Sequence, residues 1–124
     1  MSLFRQYNPN PLKSRVGDCP VRALCMATGK DWNTVFLALS AFAYADKDMP
    51  SANSVWGKYL RSQGFRRHLV DEDESYTVED FCRDHPQGTY ILAIDGHVVC
   101  VVDGFYYDSW DSGQEIPIYY WTKE

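Results

Sequence analysis

The chain has 124 residues, of which 45% are hydrophobic and 23% charged, so a single domain with a substantial core is expected. Nine Tyr, six Phe and four Trp exclude large-scale disorder and low-complexity architecture. A net charge of -5 with no basic stripe argues against nucleic acid as a partner, because phosphate contacts need clustered Lys and Arg.

The first 16 residues carry Pro9, Pro11 and several polar side chains and read as an extended arm. Met1 to Gln6 lacks the basic start and apolar run of a signal peptide, and no apolar run matches a membrane span. A cytoplasmic protein with free thiols at Cys19, Cys25, Cys82 and Cys100 is expected. Asp18 is a candidate N-cap for a short helix from Cys19 to Thr28, with Pro20 in its first turn and Gly29 at its end. Val21, Leu24, Cys25 and Thr28 give that helix an inward face. A second helix should follow Asp31, from Trp32 to about Ala45, on a stripe of Val35, Phe36, Leu39, Phe42 and Ala43. A third should lie between Ser51 or Asn53 and Gln63, burying Val55, Trp56, Tyr59 and Leu60. Phe65 to Val70 reads as a strand and Asp71 to Ser75 as a solvated acidic loop. Thr77 and Asp80 form a capping-box pattern for a helix from Val78 to about Arg83.

The C-terminal third is rich in strand formers. Thr89 to Ile94, His97 to Val102, Phe105 to Trp110 and Ile116 to Trp121 are candidate strands. Helices first and a meander afterwards imply an α+β fold, with N-terminal helices packed on a C-terminal antiparallel sheet. Asp103-Gly104 between two of these runs is a strong hairpin signal. With those two as the turn, Val102 pairs with Phe105, Val101 with Tyr106 and Cys100 with Tyr107. One face then carries His97, Val99, Val101, Tyr106, Asp108 and Trp110. Asp108 becomes the diagonal neighbour of His97, about 7 to 8 Å away by backbone position.

Three matched groups result. Cys19 opens a helix, where the macrodipole and free N–H groups favour a thiolate. His97 follows a glycine at the start of a strand, and Asp108 can orient it. Thiolate, base and orienter are what acyl transfer through a cysteine requires.

Gly17-Asp18-Cys19-Pro20-Val21-Arg22-Ala23-Leu24, then Gly96-His97, then Asp103-Gly104 and Asp108-Ser109-Trp110-Asp111 resemble a papain-like cysteine peptidase, in particular small bacterial and phage proteins of this kind and the bacteriocin-leader-processing peptidases. The resemblance covers about Asn8 to Asp111. It implies a papain-like fold, Cys19 as nucleophile, His97 as general base and acid, Asp108 as orienter, a peptide or protein substrate and no cofactor. It also implies an amide donor to the oxyanion. Gln6 lies far upstream of Cys19, and the nearer amides are Asn8 and Asn10, with the Cys19 N–H as a backbone donor. Tyr106 and Trp110, on the His97 face, either wall a substrate cleft or merely cover the sheet.

Other readings compete. Cys25 and Cys100 read as core residues, and His68 and His85 as surface residues. Cys82-x2-His85 and His97-x2-Cys100 have zinc-ligand types, but His97 and Cys100 are three apart on a strand and point to opposite faces, so no metal is expected. The same scaffold could serve instead as a catalytically weak or inactive interaction protein of phage or mobile-element type that binds a host protein. No oligomeric state follows from the sequence.

Overall fold

A computed structural model describes residues 2–123 as an α+β fold of four helices and a mixed six-stranded sheet. In chain order the elements are β1 (Phe4–Gln6), α1 (Cys19–Thr28), α2 (Trp32–Asp46), α3 (Asn53–Ser62), β2 (Phe65–Leu69), α4 (Val78–Asp84), β3 (Thr89–Ile94), β4 (His97–Val102), β5 (Phe105–Asp108) and β6 (Tyr119–Lys123). The strand order is β1-β5-β4-β3-β6-β2. No helix among the described residues is long and apolar enough to cross a membrane.

The helices start and stop for local reasons. Asp31 accepts a hydrogen bond from the Thr34 N–H at 2.8 Å and caps α2. Thr77 and Asp80 make both halves of a capping box at the start of α4. The hairpin forms in the expected register: Val102 opposite Phe105, Val101 opposite Tyr106, Cys100 opposite Tyr107. Its turn residues, Asp103 (φ 50°) and Gly104 (φ 83°), both sit in the left-handed region that a two-residue hairpin turn needs.

The sheet separates two cores. On one face α1, α2 and α3 bury Leu24, Leu39, Trp56, Leu60, Ile91 and Cys100 together. On the other, Phe81 and Cys82 of α4 pack with Leu92, Val99, Val101 and Tyr106. The layering follows from strand alternation: Cys100 and Val99 are neighbours in sequence and face opposite cores.

The structure corrects several expectations. The sheet is mixed, because Phe4–Gln6 of the supposed loop-like arm adds a short edge strand parallel to β5. A strand of three residues has no readable period, and its pairing is long-range. β5 ends at Asp108, short of Trp110. The last strand begins at Tyr119, not Ile116, since Pro117 has no N–H for a ladder. Phe36 is exposed rather than buried, and stacks on Trp32 at 4.9 Å. His68 and His85 are half-buried, not surface residues: each stacks on an aromatic ring, Tyr120 and Phe81 respectively.

Candidate functional site

The site forms where the N-terminus of α1 meets the ends of β4 and β5. Cys19 is the first residue of α1 and is partly exposed. Its N–H precedes the helical hydrogen-bond ladder and has no acceptor among the described residues. His97 opens β4, and its Nε2 lies 2.6 Å from Oδ2 of Asp108, the last residue of β5. Cys19 and His97 share the wall of one cleft, and Cys19 helps to raise the His97 pKa. The structure brings Cys19, expected at a helix start, together with His97 and Asp108, expected from the hairpin register.

Asp108 is saturated with partners. Its side chain is 1% exposed. Oδ2 accepts from His97 and from the Ser112 hydroxyl at 2.7 Å. Oδ1 accepts from the Ser109 N–H at 2.7 Å and from Nη2 of Arg22 at 3.1 Å. Burial works to raise its pKa, but the bonds from His97 and Ser112 and the His97 charge hold it below the usual 3.8.

Arg22 was not anticipated. It lies one turn into α1, buried, and bridges two carboxylates: Nη1 binds Asp18 and Nη2 binds Asp108. Asp18 occupies the N-cap position but makes no side-chain cap. It turns instead to Arg22 and to the Trp32 Nε1–H, which donates at 2.9 Å. The buried pair overrides the local capping preference, because a guanidinium between two carboxylates is costly to leave unpaired. Asp18, Asp108 and Arg22 together carry one net negative charge, which a protonated His97 neutralises. Burial alone would lower the His97 pKa. The hydrogen bonds to Asp108 and Cys19, with their charges, more than reverse this and raise it from 6.5 to about 9.

The remaining thiols differ in kind. Burial drives the pKa of Cys25 and Cys82 up to about 12, and that of Cys100 up as well. Cys82 and Cys100 belong to the two different cores. No group of three or more His, Cys, Asp or Glu among the described residues is arranged to hold a metal ion.

A cleft of about 430 Å³ opens beside Cys19 and His97, walled by Gly17, Ser51, Asn53, Asp95 and Tyr119. Trp110 lies against the His97 ring, centroids 4.7 Å apart, and is partly exposed; it covers the histidine rather than walling the cleft. Tyr106 does not wall the cleft. It is fully buried in the α4 core, with its hydroxyl donating to Asp111 at 2.5 Å and to Glu79 at 3.3 Å. Sharing a strand face with His97 places it further along the sheet, under α4. Asn8 and Asn10 do not line the cleft either. Asn8 uses Nδ2 on the Ser14 carbonyl and Oδ1 on the Asn10 N–H, and Asn10 uses Oδ1 on the Leu12 N–H. Both shape the bend of the arm.

Comparisons with protein families, with curated proteins and with solved structures find no match to this chain.

Proposed function

We propose that the protein is a cysteine hydrolase of papain-like architecture that cleaves a peptide or isopeptide amide in a peptide or protein substrate. One observation carries the reading: a buried, fully hydrogen-bonded Asp108 holds the His97 ring at Nε2, on the same cleft as Cys19 at the start of a helix. A structural histidine has no need of a buried carboxylate on one nitrogen and a partly exposed thiol on the same cleft.

In this mechanism His97 takes the proton from Cys19 Sγ, and the Asp108 carboxylate stabilises the imidazolium. The thiolate attacks the amide carbonyl, and the Cys19 N–H faces the developing oxyanion. His97 then passes its proton to the leaving nitrogen, the C–N bond breaks, and a thioester forms on Cys19. Water attacks the thioester, giving its proton to His97. The tetrahedral species expels the thiolate and releases a carboxylic acid. Trp110 covers one side of the His97 ring and limits the access of water to the ion pair.

The test is direct detection of the acyl-enzyme. The protein is mixed with a panel of peptide and isopeptide amides, quenched in acid and weighed intact. The reading expects an acyl adduct on Cys19 with release of amine, absent in Cys19→Ala. No adduct and no amine release across the panel would leave the scaffold as a partner-binding protein.

A further inference from the structure

The cleft continues past Cys19. Asn53 and Tyr119, at its far end, also line a second cavity of about 260 Å³, together with Gly57, Arg61, Arg67 and Trp121. Asn53, Gly57 and Arg61 are spaced four apart on α3 and form one stripe along its side. Tyr119 and Trp121 alternate on β6 and share a face, making the floor. Arg67 pairs with Trp121 across β2 and β6, so it rises from the same face. Gly57 keeps the groove open, since a Cβ there would stand 3.2 Å from Trp121 Cζ2.

The two arginines are arranged alike. Arg61 lies over the Trp121 ring at 5.2 Å and Arg67 over the Tyr119 ring at 4.9 Å. Neither forms an ion pair among the described residues, and no acidic side chain lines the cavity. Two guanidiniums therefore line one cavity with no acidic partner among the described residues. A guanidinium lying over a ring keeps its N–H edges open to a planar or tetrahedral oxyanion.

We propose that this cavity is an anion subsite of the cleft, taking a carboxylate or phosphate carried by the substrate a few residues from the amide presented to Cys19. The inference rests on the hydrolase reading of Cys19 and names the substrate class for it: a peptide with an acidic or phosphorylated side chain beside the scissile bond.

Peptidyl vinyl sulfones, which alkylate a reactive cysteine without needing turnover, test it. One backbone carries Glu, phosphoserine, Gln or Lys in turn at the second, third and fourth positions from the reactive group. The labelling rate of Cys19 is read by intact mass. At one position the Glu or phosphoserine probe should label about fivefold faster than the Gln probe at low salt, and the Lys probe more slowly; added salt should shrink the difference. Whichever of the two anionic probes is faster identifies the group as carboxylate or phosphate. In Arg61→Gln/Arg67→Gln the ratio of anionic to Gln rates should fall to near one, and a ratio taken within one protein corrects for any change in folding. Equal rates for all four side chains at every position, or a preference that survives in the double variant, overturn the subsite alone. If no peptidyl probe labels Cys19 faster than methyl vinyl sulfone, the hydrolase reading fails and the subsite falls with it.

Discussion

Replacing Arg22 by Met should damage the fold as much as the site. The substitution keeps the length and apolar stem of the side chain but removes the cation between Asp18 and Asp108, which are 6% and 1% exposed. Two buried carboxylates would then share only the single charge of His97. Breaking a buried ion pair from one side costs about 3–5 kcal/mol. In a domain of this size that is a fall in melting temperature of about 10–20 °C. Differential scanning calorimetry at pH 7 measures it directly. The loss should shrink as pH falls, because protonating the carboxylates removes the uncompensated charge from the variant and the ion pair from the parent. Arg22→Lys should recover only part of the loss, since one ammonium cannot reproduce the fork that reaches both carboxylates. A melting temperature for Arg22→Met within about 2 °C of the parent would refute the claim that Arg22 ties α1 to β5.

Three further outcomes follow from the same geometry. His97 has a raised pKa in the folded protein, so its contribution to stability is complete below about pH 6.5 and fades as pH rises through about 9; thermal melts across this window should show a decline that His97→Gln lacks. Thr77→Ala removes one half of the α4 capping box and should lower stability by about 1 kcal/mol, read from the urea midpoint with an unchanged slope. Trp110→Ala uncovers the His97 ring and should speed its acylation by diethyl pyrocarbonate severalfold with little change in melting temperature; an unchanged rate would show that Trp110 does not shield the histidine.

Much of the site could be read from the chain because it rests on short-range rules. A helix beginning at Cys19 follows from Pro20, Gly29 and the apolar spacing between them. The Asp103-Gly104 turn sets the hairpin register, and the register brings His97 within reach of Asp108. What escaped has a different physical origin. Arg22 looks like an ordinary polar helix residue until α1 docks against β5, a contact between residues 86 apart in sequence. Asp18 has the right type and place for an N-cap, and only the buried guanidinium diverts it. Ser112 sits in an irregular segment, where no period shows that it turns inward to Asp108. Tyr106 was placed on the correct strand face but at the wrong depth, because alternation orders side chains across a sheet and says nothing of what covers each row. The edge strand Phe4–Gln6 is recognisable only from its partner, β5.

The central claim is that Cys19 and His97 act as a coupled pair. The pH dependence of iodoacetamide alkylation at each cysteine, followed by peptide mass spectrometry in the parent and in His97→Ala, tests it most directly. Cys25, Cys82 and Cys100 serve as internal comparisons, since burial raises all three and should leave them slow at neutral pH. The account predicts selective labelling of Cys19 at neutral pH, markedly slower in the variant. A Cys19 rate at neutral pH no faster than that of the buried thiols, or one indifferent to His97, would contradict it.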